Sequence, residues 1–316
     1  MFKIESYLTW AILLLPLVSF AQYTDQINSN RPGESMSAFA VGKSVIQIET
    51  GAYGISQKHH LLNYVTNGYG IDATLRYGMF KEKLELIADI QYQNQLYEAL
   101  FTKTEQKALK QSVLGAKYLI YDPFKNHEKK INVYSWKANH KFSWRQLIPA
   151  VSVFAGANYN SANNPYHFSP KAGISPKIIL ITQNHLGNGT WVLVTNTIAD
   201  YIGTEFPSYG YVITLTKGFN DKWSGFVENQ GYKSDFYSDA IIRTGAAFLL
   251  TEDLQIDASV STSLKNTPSI FYGGLGFSWR YDANYNEVRI PIEDPSVLKA
   301  QKRAQKGSKK KKFLIF

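Results

Sequence analysis

Two stretches decide how this chain is read: YGIDATLRY, from Tyr69 to Tyr77, and LELIADIQY, from Leu84 to Tyr92. In the first, Tyr69, Ile71, Ala73, Leu75 and Tyr77 alternate with Gly70, Asp72, Thr74 and Arg76. In the second, Leu84, Leu86, Ala88, Ile90 and Tyr92 alternate with Glu85, Ile87, Asp89 and Gln91. Successive side chains of a strand point to opposite faces, so each stretch is a strand with one apolar and one polar face. Between them lies a short polar turn, Gly78 to Lys83, so the two form a hairpin unit. Segments 254–261 and 271–280 repeat the alternation, and the turns at 219–222 and 251–253 repeat the hairpin.

Period two alone fits a soluble sandwich, with the apolar face inside, or a membrane barrel, with that face turned out to lipid. The apolar faces here begin or end in Tyr69, Tyr77, Tyr92, Phe271 and Trp279, as aromatic girdles at a membrane interface require. The strands run to ~9–11 residues, the length a tilted strand needs to cross a bilayer. Short connections also alternate with longer ones at 55–67, 95–111 and 158–170. The reading is all-β: a closed antiparallel transmembrane barrel over 44–281, with short periplasmic turns and longer outer loops. Twelve strands are predicted, near 44–54, 68–78, 84–94, 112–121, 146–157, 171–182, 190–200, 209–218, 223–232, 239–250, 254–262 and 270–281. The connection 122–145 is too long for a periplasmic turn; it is a basic insert, or else a hairpin around Ile131–Trp136 raises the count to fourteen.

Composition narrows the choice further. The 316 residues include no Cys, which excludes disulfide scaffolds, thiolate metal sites and Cys nucleophiles. Mean hydropathy is -0.24, too polar for a bundle of membrane helices. The formal net charge is +9, but eight cations and no acid fall in residues 298–316, so the remainder is near neutral. That is a basic tail on a neutral body, without the basic folded face of a nucleic-acid-binding protein. Residues 1–21 carry Lys3, an apolar run from Leu8 to Val18, and small residues at Ser19 and Ala21. They read as a secretory signal peptide cleaved near Ala21, which sends the chain towards the bacterial outer membrane. Residues 282–316 then form a basic periplasmic tail, which contacts a periplasmic partner or lipid, or stays solvated.

With apolar faces outward, the charged residues assigned to the lumen are Glu49, Asp72, Arg76, Glu85, Asp89, Lys117, Glu228, Arg243, Asp257 and Arg280. A mixed set of signs implies pairing rather than an ion-selective ring, with Arg76 and Asp89 on neighbouring strands as one pair. Residues 22–43 precede the first strand and hold Arg31-Pro32-Gly33. They are a disordered lead or a plug folded into the lumen, with Arg31 pairing to a wall carboxylate such as Glu49. A twelve-stranded bore lies between the filled lumen of about eight strands and the open channel of about sixteen, so it is readily blocked.

Other motifs carry less. His167-Phe168-Ser169 has the spacing of a barrel hydrolase pair but lies in a loop between Pro165 and Pro170 with no orienting third group. No catalytic residue is assigned. His59 and His60 are adjacent and have no carboxylate cluster near them, so no metal site is assigned. Gly273, Gly274 and Gly276 sit within a strand and open no helix, which argues against phosphate binding. No cofactor is implied.

The segment Ser29-Asn30-Arg31-Pro32-Gly33 is similar to the Thr-Asp-Arg-Pro-Gly opening of a known family, and Val41–Gly51 is similar to its Gly-x-x-Gln-x-Glu-x-Gly first strand. Tyr77–Leu86 and Gly225–Glu228 add to the resemblance. The chain resembles the outer-membrane "transporter" barrels grouped under the meta-pathway of phenol degradation (MetA-type), over about residues 25–281. It departs from them at Ser29-Asn30, in the 122–145 insert and in the basic tail. The resemblance implies passage of small, apolar or aromatic molecules across the outer membrane by passive or facilitated diffusion. A structural component of a larger envelope complex, and an outer-membrane hydrolase, are the alternatives.

Overall fold

A computed structural model describes residues 26–125, 134, 144–161, 163–166, 173–235 and 238–282. Twelve strands follow one another: β1 (Val45–His59), β2 (Tyr64–Gly78), β3 (Leu84–Ala99), β4 (Thr102–Tyr121), β5 (Ala150–Asn160), β6 (Gly173–Leu186), β7 (Trp191–Asp200), β8 (Ser208–Gly218), β9 (Trp223–Lys233), β10 (Ser238–Thr251), β11 (Leu254–Ser263) and β12 (Ser269–Asp282). Each pairs antiparallel with the next, and β1 pairs with β12 from Val45↔Asp282 to Lys58↔Ser269, closing the barrel. Closure leaves no edge strand, so every strand has a ladder on both sides, the condition for a sheet to cross hydrocarbon. None of the described helices is long and apolar enough to cross a membrane.

The two faces of the sheet are inverted relative to a soluble protein. Ile71, Leu75, Ile90, Ile178, Leu180, Val227, Ile256 and Val260 are exposed on the outer wall, and Leu114 and Leu275 are 67% and 68% exposed. Tyr69, Tyr77, Trp223, Trp279 and Tyr281 are exposed with them. The bore holds the opposite set: Arg76 and Lys117 are 0% exposed, and Gln47, Glu49, Glu85, Asn196 and Glu228 are buried. Lipid removes the penalty for apolar groups outside, while the bore supplies polar partners inside.

The strand count matches the sequence reading, but the strands are longer. The connection expected at 55–67 is strand except for residues 60–63, and that at 95–111 is strand except for 100–101. Alternation fades there because the outer face has left the apolar layer. The ladder nonetheless continues through pairs such as Gln95↔Gln106 and Tyr97↔Thr104, because backbone pairing does not depend on lipid. Most of 122–145, including the candidate hairpin around Ile131–Trp136, lies outside the described residues, as do residues 1–21 and all but the first residue of 282–316.

At the opposite end the turns are tight. In the β8–β9 turn, Asn220 Oδ1 accepts the backbone N–H groups of Lys222 (2.9 Å) and Trp223 (2.8 Å), an Asx-type closure. At the β2–β3 turn, Ser44 N–H donates to Gly78 C=O at 2.8 Å, and a Cβ on Gly78 would overlap the Gly42 carbonyl oxygen. The obstructing carbonyl is backbone and cannot swing aside. Gly78→Ala is therefore expected to cost about 1–3 kcal/mol, measured as a lower urea midpoint for the barrel refolded into lipid vesicles.

Candidate functional site

Residues 27–41 run inside the barrel, and their backbone is held by side chains from around the wall. Ile27 N–H bonds Glu252 C=O at 2.8 Å in the β10–β11 turn. Asn30 N–H reaches the Glu49 carboxylate on β1 at 3.2 and 3.3 Å. Glu34 N–H reaches Glu228 on β9 at 3.0 and 3.2 Å. Met36 and Asn196 of β7 exchange two bonds, N–H to Oδ1 at 2.6 Å and Nδ2 to C=O at 3.0 Å. Gln183 of β6 accepts from Ala38 N–H at 2.9 Å and from Ser37 Oγ at 3.1 Å. Ser152 of β5 donates to Ala38 C=O at 2.5 Å, and Val41 N–H reaches Glu85 of β3 at 3.1 Å. A segment without a ladder of its own must satisfy its backbone on side chains when buried, and this one does.

Three ionic clusters organise these contacts. In the first, Arg76 gives Nε to Glu85 at 2.5 Å and Nη1 to Glu49 at 2.8 Å and to Asn28 C=O at 2.7 Å. Lys117, opposite Glu85 in the β3–β4 register, lies 3.1 Å from its carboxylate and donates to Ser37 C=O (2.8 Å) and Phe39 C=O (3.0 Å). The second cluster is built on one row across four strands: Asp72 (β2) faces Gly51 (β1), Gly51 faces Gly276 (β12), and Gly276 faces Asp257 (β11). Arg31 lies over the two glycines, pairs with Asp72, and bonds Asp257 through Nε at 3.2 Å. A Cβ on either glycine would overlap the guanidinium, so their missing side chains make its seat. In the third, Glu228 pairs with Arg243 and accepts from Thr214 at 2.7 Å, while Arg243 also reaches Glu34 at 3.4 Å.

The geometry corrects two pairings expected from sequence. Arg31 bridges Asp72 and Asp257 and does not pair with Glu49, whose oxygens serve Arg76, Gln47 and the Asn30 N–H. Arg76 pairs with Glu85 and Glu49 and not with Asp89, whose oxygens accept Thr74 Oγ1 (3.0 Å) and Gln111 Nε2 (2.5 Å). Arg280 is buried beside Asp282 at 4.0 Å, and its N–H bonds Asp253 C=O at 2.9 Å. His59 and His60 lie at the β1–β2 tip, and His59 Nδ1 accepts the Leu62 N–H at 3.1 Å. His167-Phe168-Ser169 lies outside the described residues. Among the described residues no group of three or more His, Asp or Glu could hold a metal ion.

Several side chains of the site were not singled out in the sequence. Gln183, Asn196, Ser152 and Ser278 share the inward parity of the charged set, but neutral polar residues carry no sequence mark distinguishing an anchor from ordinary lining. The bore is also apolar in one sector: Ile87, Val113, Phe154, Ile179, Ile181 and Val194 form a buried cluster, and Met36, Ala38 and Phe39 pack on it. Phe39 ends in an aromatic group with Phe124 (6.2 Å between centroids) and His185 (5.7 Å). The inner segment thus rests on charge along one wall and on apolar packing along the other. It separates two cavities. One, of 590 Å³, is lined by Phe39, Phe124, His185, Val194 and Phe226 among others; the second, of 290 Å³, is lined by Tyr53, Asp89, Lys110, Arg243 and Tyr272 among others.

Comparison with known proteins fits this architecture. The family model described as "Putative MetA-pathway of phenol degradation" matches residues 29–281. Among solved structures, an outer membrane channel from Pseudomonas putida F1 superposes with a TM-score of 0.50 at 10% identity, covering 81% of this chain and 100% of that one. The CymD monoaromatic hydrocarbon channel gives a TM-score of 0.43 at 9% identity, covering 77% and 90%. The translocator domain of the autotransporter NalP from Neisseria meningitidis gives 0.46 at 10%, covering 76% and 89%. No curated protein matches the sequence.

Proposed function

The chain belongs to the family of the MetA pathway of phenol degradation, and from that premise we propose that it is an outer-membrane channel for small apolar or aromatic molecules, with residues 22–43 as its plug. The observation that carries the reading is an inside-out barrel whose bore is crossed by a segment of its own chain, with a cavity on either side. A wall lined only with paired charges would admit water and ions. The apolar sector from Ile87 to Val194, covered by Met36–Phe39, supplies a surface along which a hydrophobic solute moves without losing its environment at every step. The similarity to outer-membrane channels supports the same reading.

In this reading residues 1–21 are the signal peptide, the tight turns and the plug's start face the periplasm, and the basic tail meets a periplasmic partner or anionic lipid. Transport is diffusive and no bond is made or broken, so the protein is not an enzyme. The plug acts as a positioned gate. Its grip is reduced when Arg31 is lost, because Asp72 and Asp257 then have no cation between them. Arg31→Met is expected to make brief openings of the barrel in a planar bilayer about tenfold more frequent, and Gly276→Val, which fills the seat of the same guanidinium, is expected to do likewise. The function itself is tested by uptake of a monoaromatic hydrocarbon into liposomes holding the purified protein. Uptake equal to that of empty liposomes, both for the full chain and for a chain lacking 22–41, sinks the proposal.

A further inference from the structure

The smaller cavity holds a cation that the plug does not use. A β-bulge falls between β3 and β4: Gln91 pairs with Gln111 and Tyr92 with Leu109, leaving Lys110 as the extra residue. Bulges re-aim side chains, and this one turns Lys110 into the bore. Its Nζ lies 5.9 Å from the ring centroid of Tyr53 and 5.4 Å from that of Tyr272, which meet edge to face at 5.9 Å. The carboxylates around the same cavity are already served. Asp72 has Arg31, Glu49 has Arg76, Glu34 has Arg243, and both oxygens of Asp89 accept hydrogen bonds. Among the described residues, Lys110 has ring faces and no anionic partner. An ammonium carries three donors, and rings satisfy none of them as an oxygen would.

We infer that this 290 Å³ chamber is a binding site for a small organic carboxylate of monoaromatic size, held by Lys110 through its anion and by Tyr53 and Tyr272 through its ring. The volume falls just under the ~300–1,000 Å³ usual for small-molecule sites, so it takes one compact solute. Gln230, Ser259 and Ser261 line the same chamber and supply neutral donors for the second carboxylate oxygen. The site lies on the far side of the plug from the larger, more apolar cavity, so the solute reaches it before the plug moves. This assignment rests on the channel reading and adds to its solutes aromatic ones bearing a negative charge at one end.

Calorimetry on the full chain in detergent micelles tests it with three ring compounds of one size: benzoate, benzyl alcohol and benzylamine. Benzoate is expected to bind about tenfold more tightly than benzyl alcohol, with benzylamine weakest. Lys110→Met is expected to erase the preference, and Lys110→Arg to keep it. Heat-modifiable gel mobility confirms that each variant remains a folded barrel. Equal affinity for benzoate and benzyl alcohol, or a preference that survives Lys110→Met, overturns the assignment. A benzoate preference in a protein that shows no uptake with or without its plug keeps the site and sinks the channel.

Discussion

A chain lacking residues 22–41 is expected to form a barrel whose conductance in a planar bilayer exceeds that of the full chain by about tenfold. The segment crosses the bore between the 590 Å³ and 290 Å³ cavities, and its removal joins them. The barrel does not need it to close. The first strand begins at Val45, and the twelve ladders, including β1 with β12, are formed by strand backbone alone. The wall groups that now bind the segment are largely matched among themselves: Arg76 keeps Glu49 and Glu85, Lys117 keeps Glu85, and Arg243 keeps Glu228. Water takes over from Asn28, Ser37 and Ala38. Asp72 and Asp257 alone lose a cation, and the widened bore hydrates them. The measurement is single-channel conductance, with heat-modifiable mobility as the control for folding. Unchanged conductance would mean that residues 27–41 line the passage without blocking it.

Arg76→Met is expected to destabilise the barrel by about 3–5 kcal/mol. Arg76 is fully buried between Glu49 and Glu85, and both carboxylates are buried too. Removing the cation leaves two negative charges in the bore with Lys117 as the remaining cation near Glu85. Replacing a whole buried ionic group by neutral residues costs far less than removing one member of it. The quadruple variant Arg76→Met, Lys117→Met, Glu49→Gln, Glu85→Gln, which neutralises every member of the group, is therefore expected to recover most of the loss. Urea titration of the refolded protein in vesicles reads both variants. A single variant as stable as the native chain would show that water in the bore already screens these charges.

Much of this architecture was legible in the residues. Tyr69–Tyr77 and Leu84–Tyr92 carry alternation that only a strand can use, and the aromatic ends of their apolar faces point to a membrane. The inward parity also selects Glu85, Lys117 and Glu228 as bore residues, which the structure places in contact with residues 34–41. The strand ends were not legible. Beyond the apolar layer the outer face of β4 carries Lys103, Glu105 and Lys107, so periodicity no longer separates strand from loop. Lys110 was hidden by the same rule: counted in steps of two from Lys117 it belongs on the outer face, and one inserted residue reverses it.

The sequence by itself determined which side chains face lipid and which face the bore, because a strand's period of two is a local property and each residue carries its own polarity. The tertiary structure alone decided the partners. Asp72, Gly51, Gly276 and Asp257 are scattered over more than two hundred positions of the chain, yet closure of β1 on β12 sets them in one row beneath Arg31. That row depends on strand register and on how the barrel closes, which arise from all twelve ladders together and are written in no single segment.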